Sequence, residues 1–349
     1  MLNAVRIAGV AAVACVCGSA SGQLIVGSTT TNTANGCAFY VNVSTGAATI
    51  LWNSVAQKKT NGLAADPVTG RLYGNDAARL HFWTFGNLGV APTAIAGMYR
   101  TSDNVTFTAT GVDGLAFANG RLYGVTTFGS TVYKRGVYEI STVSDGAVPT
   151  PHCVMTPLWL DPTGVGTSSG TIGLGGLEYN AANGLFYLTN SADTTASGGT
   201  YTKGVYTLDA FGTGALVKLT DFPAGHERID GLAIGNGTLW MTEQDPASGA
   251  ILIFPYSLAT GTYGTTISVP LAEGSQRASG AAWAPGALTP PCAGDLNYDG
   301  AINTQDLATF LGNFGGQVDP GTNGDMNGDG VVNTTDLTLF LGRFGAACG

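Results

Sequence analysis

The chain has 349 residues, 44% of them hydrophobic and 11% charged, with a net charge of −9. The hydrophobic fraction is enough for a sizeable core and excludes a wholly disordered chain, while the acidic balance excludes nucleic acid as a partner, since that binding draws on Lys and Arg against phosphates. The 53 glycines are about 15% of the chain, roughly twice the usual share, and without a collagen period they point to many tight turns between short strands.

The N-terminus carries Arg6, an apolar run over residues 7–17, then small residues ending in Ala20-Ser21-Gly22. This is the pattern of a secretory signal, with cleavage expected before Gln23, and the run is too short to cross a membrane. The expected location is secreted or cell surface, with no transmembrane span. Four cysteines then remain: Cys37, Cys153, Cys292 and Cys348. An even count in an exported chain favours disulfides. Their positions suggest Cys37–Cys153 in a first domain and Cys292–Cys348 around a second.

One pattern recurs from residue 61 to residue 285. It reads NGLAADPVTGRLYGND at Asn61, VDGLAFANGRLYGVTT at Val112, GGLEYNAANGLFYLTNS at Gly175 and IDGLAIGNGTLWMTEQ at Ile229, with a truncated copy, SGAAWAPG, at Ser279. Its key glycines are Gly62, Gly114, Gly176, Gly231 and Gly280, spaced by 52, 62, 55 and 49 residues. Periods of this size belong to propeller blades or solenoids. Each copy predicts two short strands joined by a Gly or Asn-Gly turn, and further strand-like runs follow most copies (GVYEIST and HCVMTPL, GVYTLDA and ALVKLTD, AILIFPY and TTISVPL). Four strands per repeat without a helical period predict an all-β propeller. The truncated copy supplies one strand, and LIVGS, AFYVNV and ATILWN near the N-terminus supply three, which closes a fifth blade and leaves no open edge. The expectation is a five-bladed propeller over residues 23–289, with the 62-residue interval widened by the Gly/Ser/Thr-rich stretch DPTGVGTSSGTIG.

Residues 290–349 differ. After Pro290-Pro291 come two 12-residue loops 30 residues apart, DLNYDGAINTQD from Asp295 and DMNGDGVVNTTD from Asp325. Hard oxygen donors at positions 1, 3, 5, 9 and 12, with Gly at 6 for a sharp turn, are the spacing that wraps a calcium ion. A short apolar helix is expected after each loop (LATFLGNFG, LTLFLGRFG), and none before. The expected core is Leu307, Phe310, Leu311, Leu337, Phe340 and Leu341. Residues 292–349 hold seven Asp, no Glu and one Arg, a net charge of −6, which couples folding to calcium.

These tandem loop–helix units resemble a type I dockerin domain over residues 294–345. The resemblance implies a small α domain holding two calcium ions through Asp295, Asn297, Asp299, the Ala301 carbonyl, Asn303 and Asp306, and through Asp325, Asn327, Asp329, the Val331 carbonyl, Asn333 and Asp336. It also implies a cohesin-like partner, chosen by Thr304-Gln305 and Thr334-Thr335, and a link to polysaccharide breakdown. The cysteine bracket and terminal Cys-Gly look like the GC-type variant of planctomycete-like exported proteins, which implies anchoring or sorting of the chain.

The propeller offers weaker chemistry. The residue before each repeat glycine is Asn61, Asp113, Gly175, Asp230 or Ser279. Asn61, Asp113 and Asp230, with Glu178, form a candidate propeller-mouth site for a cation or ligand, against a reading in which the aspartates only cap turns. The 112–127 stretch is similar to calcium-dependent lactonase-like propellers of the gluconolactonase group, which have six blades. Gly166–Gly170 fits G-x-S-x-G without the strand-to-helix elbow that motif needs, and His81, His152 and His226 lack zinc spacing. Trp52, Trp83, Trp240 and Trp283 are expected in the core. The functional expectation is an exported binding protein held at the cell surface by its C-terminal module. The alternative is a dockerin-borne carbohydrate-active enzyme, for which no pair of carboxylates stands out as catalytic.

Overall fold

The structure is a computed structural model. It describes residues 23–346 except 31–35, 53–59, 67–68, 76–78, 86–91, 97, 102–105, 108–111, 127–134, 149, 163–172, 194–200, 246–247, 270–275, 285–293, 297–301, 319–323 and 328. The expected signal segment, Cys292, Cys348 and the G-x-S-x-G stretch lie outside the described residues.

Five antiparallel-based sheets make five blades. Blade 5 is the clasp. Its C-terminal strand runs Gln276–Ala284, beside three N-terminal strands, β1 (Gln23–Thr30), β2 (Gly36–Val41) and β3 (Ala48–Trp52). Blade 1 holds β4 (Gly62–Asp66), β5 (Arg71–Asn75), β6 (Leu80–Thr84) and β7 (Thr93–Ala96). Then come β8 (Met98–Thr101) and β9 (Thr106–Phe107), followed by the four strands of blade 2: β10 (Val112–Ala118), β11 (Arg121–Thr126), β12 (Gly136–Ser144) and β13 (His152–Leu160). Blade 3 holds β14 (Leu174–Asn180), β15 (Leu185–Asn190), β16 (Gly204–Leu208) and β17 (Leu216–Thr220). Blade 4 holds β18 (Gly231–Gly235), β19 (Thr238–Gln244), β20 (Ile251–Ser257), β21 (Thr262–Tyr263) and β22 (Ile267–Val269), its last two strands both pairing with β20. The Gln276–Ala284 strand is β23.

The inner strands form a closed ring, β4 against β10, β10 against β14, β14 against β18, β18 against β23, and β23 against β4. The repeat glycines are the points of contact. A Cβ on Gly114 would stand 2.5 Å from the Gly175 carbonyl oxygen, one on Gly176 2.6 Å from that of Asp230, and one on Gly280 3.0 Å from the Cα of Gly62. Each glycine thus lets the backbone of the next blade approach within a distance no side chain allows. The sequence repeat is therefore the imprint of a narrow ring. Polar side chains on the neighbouring strand hold its inner N–H groups. Asn75 Oδ1 accepts from the Gly62 N–H at 2.7 Å, and Thr189 Oγ1 from the Gly176 N–H at 2.7 Å.

Between the blades, apolar faces pack into seams. Trp83 and Trp240 are buried in two of them, and Trp283 stacks parallel on Trp240 with centroids 5.9 Å apart. Hairpins at 42–46, 66–70, 180–184, 209–214 and 245–249 begin with Asn or Asp and end with Gly at φ between 65° and 74°. The leading side chain turns the chain, as where Asn42 Oδ1 accepts from the Ser44 N–H and Asp209 Oδ2 from the Thr213 N–H.

The 62-residue interval holds the two strands expected there, β12 and β13, each nine residues long, as well as the Gly/Ser/Thr-rich stretch. Two expectations change. β8 and β9, which the repeat pattern did not reveal, join the outer edge of blade 2, with β8 parallel to β13. Arg100 ties them in through an ion pair with Asp145 at 3.0 Å. Finally, Cys153 is a free, fully buried thiol, so the Cys37–Cys153 disulfide is not formed. Cys37 lies on β2 of blade 5 and Cys153 on β13 of blade 2, with blade 1 between them, whereas a disulfide needs Cα atoms within about 7 Å.

The C-terminal part has two helices, α1 (Thr304–Asn313) and α2 (Thr334–Leu341). Its core is Ile302, Phe310, Val332 and Phe340, with the Phe310 and Phe340 rings 5.2 Å apart. Leu311 and Leu341, expected inside, are 55% and 54% exposed, because only one stripe of each short helix faces its partner. Each loop binds the turn after the other helix. The Ile302 N–H donates to Ala346 and the Gly345 N–H to Ile302, while the Val332 N–H donates to Gly316 and the Gly315 N–H to Val332. Gly315 and Gly345, at φ 82° and 83°, make that return turn.

Candidate functional site

In the second loop, single carboxylate oxygens of Asp325, Asp329 and Asp336 all lie within 4.8 Å of one another. Calcium takes oxygens at about 2.3–2.6 Å, so two ligands of one ion are at most about 5.2 Å apart, and the three carboxylates fit a single ion. Asp336 is fully buried and Asp325 is 4% exposed. Asp329 is exposed, but bringing its charge together with the two buried ones is unfavourable unless a cation offsets it.

Asp336 also organises the loop. Its Oδ1 accepts from the N–H of Met326 at 2.8 Å, near the start of the loop, and its Oδ2 from Asn333 at 2.9 Å, at the start of α2. The Asn333 side chain accepts from the Thr335 N–H at 2.7 Å and from the backbone N–H of Asp336, which completes a capping box. The first loop repeats this. Asp306, fully buried, accepts from Leu296 at 2.7 Å and Asn303 at 2.9 Å, and Asn303 caps α1 through Gln305. Asp295 is 4% exposed. Asn297, Asp299 and Ala301 lie outside the described residues.

Within the second loop, the Asn327 side chain donates to Asp329 at 2.9 Å, and the Asn333 amide donates to the Val331 carbonyl at 3.2 Å. The sequence singled out Asn303 and Asn333 only as ligands. Their side chains serve as helix caps, a role already signalled by Asn three residues before Asp at a helix start.

Residues 293–342 match the family described as Dockerin type I domain. The C-terminal module is a type I dockerin domain. Domains of this family bind calcium and dock onto cohesin partners, and they occur in extracellular proteins. No curated protein matches the chain. Among solved structures, the chain is similar to TolB from Acinetobacter baumannii, at 12% identity over 77% of this chain and 68% of that one, with a TM-score of 0.43. It is also similar to the periplasmic gluconolactonase of Pseudomonas aeruginosa, at 13% identity over 75% and 99% of the two chains, with a TM-score of 0.44. Likeness at this level carries nothing about ligand or activity. No helix among the described residues is long and apolar enough to cross a membrane.

In the propeller, Asn61, Asp113 and Asp230 stand one residue before the repeat glycines. The Asn61 N–H donates to the Asn75 carbonyl at 2.7 Å. The Asp230 carboxylate reaches towards the neighbouring blade, 3.5 Å from where Gly175 would carry a Cβ. Glu178 stands elsewhere, two residues past Gly176 and inside the seam between blades 3 and 4. The equivalent places in the other blades hold buried alanines, Ala64, Ala116, Ala233 and Ala282. Its carboxyl accepts from the N–H groups of Tyr179 and Ile234, yet burial dominates and pushes its pKa up to about 8.

The structure adds a pair beside Asp230. His226 Nδ1 lies 2.5 Å from Glu243 Oε2, and Glu243, 5% exposed, also accepts from the Arg228 N–H at 2.9 Å. The imidazole packs on the Phe254 ring at 4.6 Å. Glu243 follows Thr242, the register partner of Gly231, so strand pairing brings it level with Asp230. This pinning fixes the loop over 221–230 at the entrance to blade 4.

Proposed function

We propose that this protein is an exported, calcium-dependent docking protein whose dockerin domain anchors a non-catalytic, ligand-binding propeller. The carrying observation is the cluster of Asp325, Asp329 and Asp336 oxygens within 4.8 Å of one another. One ion binds in each loop, held by Asp295, Asn297, Asp299, the Ala301 carbonyl and Asp306, and by Asp325, Asn327, Asp329, the Val331 carbonyl and Asp336. Asn303 and Asn333 act through the helix caps. The partner is a cohesin-like or surface-anchoring protein, and the propeller ligand is a polysaccharide. The signal segment is removed before Gln23, and the Cys292–Cys348 bracket closes the module.

Support for a binding rather than catalytic propeller comes from its regularity. Three of its buried polar groups, Asn75, Thr189 and Glu243, are engaged in holding inner strands or the 221–230 loop. The test is isothermal titration of the metal-stripped full chain with calcium. Two ions per chain, followed by calcium-dependent retention on an immobilised cohesin, support the reading. No calcium uptake refutes it, and uptake without retention on any cohesin moves the module's role to sorting.

A further inference from the structure

Each dockerin helix is tied to its own loop at its start, through the Asn303–Asp306 and Asn333–Asp336 capping boxes. Its far end is tied to the other loop. After α1 the chain turns at Gly315 and runs antiparallel along positions 6–8 of the second loop. The Gly315 N–H donates to the Val332 carbonyl at 2.8 Å, the Val332 N–H to that of Gly316 at 3.1 Å and the Val318 N–H to that of Gly330 at 3.0 Å. Gln317 is bridged to Val331 between them. After α2 the first two steps recur 30 residues on. The Gly345 N–H donates to the Ile302 carbonyl at 2.7 Å, and the Ile302 N–H to that of Ala346 at 3.0 Å.

These ties meet the backbone of the loops where ligands are expected. Ile302 and Val332 occupy position 8, directly after the carbonyls of Ala301 and Val331. Both are fully buried, in one core with Phe310 of α1 and Phe340 of α2. In the second loop the Gly330 N–H donates to Asp325 Oδ2 at 2.8 Å, while the Gly330 carbonyl accepts from Val318. One residue thus joins a carboxylate of the cluster to the segment that follows α1. The entries to the loops cross as well. A Cβ on Gly294, before the first loop, would stand 3.5 Å from Met326 Cε in the second. One on Gly324, before the second loop, would stand 2.9 Å from Phe310 Cδ2 in α1.

We propose that the two calcium loops are coupled crosswise, each held in its binding shape by the turn that ends the other unit's helix, so that the two ions load cooperatively. The coupling rests on the reading of one ion per loop. An ion in the first loop fixes Ile302, and through it residues 345–346 at the end of α2, whose start carries Asp336 of the second loop. An ion in the second loop fixes residues 330–332, and with them 315–318 at the end of α1, whose start carries Asp306 of the first. Either ion orders part of the site that the other needs, and the effect is reciprocal.

The experiment is a calcium titration of the metal-stripped full chain, with the Gly300 and Gly330 amides followed by NMR in glycine-labelled protein to read the loops separately. In the wild type both amides are expected to move together, with a Hill coefficient above about 1. Gly315 and Gly345 separate the two directions of the coupling. They sit at φ 82° and 83° with nothing within 4 Å of the missing Cβ, so an alanine strains the turn and meets no neighbour. Gly345→Ala should weaken the first loop about tenfold and the second less, and Gly315→Ala the second about tenfold and the first less. Asparagine, which tolerates this conformation, should recover most of the loss at either position. Wild-type loading reads the coupling even where an alanine variant does not fold. Independent loading of the wild-type loops overturns the proposal and leaves one ion per loop standing, as does a loss that is equal in both loops or larger in the loop preceding the altered helix. No calcium uptake by the wild type overturns the proposal together with the reading beneath it.

Discussion

The carboxylate of Asp336 accepts a hydrogen bond from the backbone N–H of Met326 at 2.8 Å, tying the last position of the second dockerin loop to its second. The same carboxylate caps α2 and offers an oxygen to the Asp325–Asp329 pair. Metal site, loop closure and helix start therefore share one side chain. Asp336→Ala is expected to reduce calcium uptake by one ion and to cost about 1–3 kcal/mol for the stranded N–H groups. Asp336→Asn keeps an acceptor but lowers the charge, so it should fold yet bind calcium weakly. Titration calorimetry and melting with and without chelator check both. Circular dichroism of the wild-type module that does not change on chelation would show that folding is not coupled to calcium.

The glycine ring makes a sharp stability prediction. A Cβ at Gly114 or Gly176 meets the backbone of the next blade, which cannot swing aside as a side chain would. Either Gly→Ala change should destabilise the propeller by about 3 kcal/mol or more, read as a fall in the urea midpoint. Gly312 is the contrast. It lies in α1 with nothing within 4 Å of its missing Cβ, so Gly312→Ala should stabilise the dockerin domain by about 0.5–1 kcal/mol.

Glu178 makes propeller stability depend on pH. Burial raises its pKa to about 8, above its ordinary value in the unfolded chain, so the folded state binds the extra proton between the two. Stability should be full below about pH 4.3 as far as this group is concerned, and should fall as pH rises towards 8. Glu178→Gln should flatten that slope. Urea midpoints at pH 5.5 and 8.5 for both proteins check it. An unchanged slope in the variant would place the pH dependence in other groups.

Cys153 should be inert. It is fully buried, and desolvation pushes its thiol up to about 12, so little thiolate forms near neutral pH. A thiol reagent should leave it unmodified in the native chain and label it after unfolding without reductant. Failure to label after unfolding would mean that it is bonded in solution.

The sequence was most legible where chemistry and period coincide. The calcium loops show in twelve residues because each ligand position needs an oxygen donor and position 6 needs glycine. The blades show through Gly62, Gly114, Gly176, Gly231 and Gly280 because backbone contact in a five-membered ring admits no other residue. β8 and β9 were not legible, since the parallel pairing of β8 with β13 is a long-range match without local period and β9 joins the sheet through β8. The Cys37–Cys153 expectation failed for the same reason, because counting cysteines says nothing about which blades are neighbours.

The order of strands, the closure by N- and C-terminal segments and the loop–helix pairs were thus determined by the sequence itself, through short-range pattern and the geometry of turns. The three-dimensional fold alone decided which groups share an environment. It put Glu178 in a seam where the other blades carry alanine, levelled Glu243 with Asp230 so that it could hold His226, left Leu311 and Leu341 in water, and brought Phe211 of blade 3 edge-on to Tyr123 of blade 2. These outcomes depend on burial and on contacts between residues far apart in the chain, which no local period encodes.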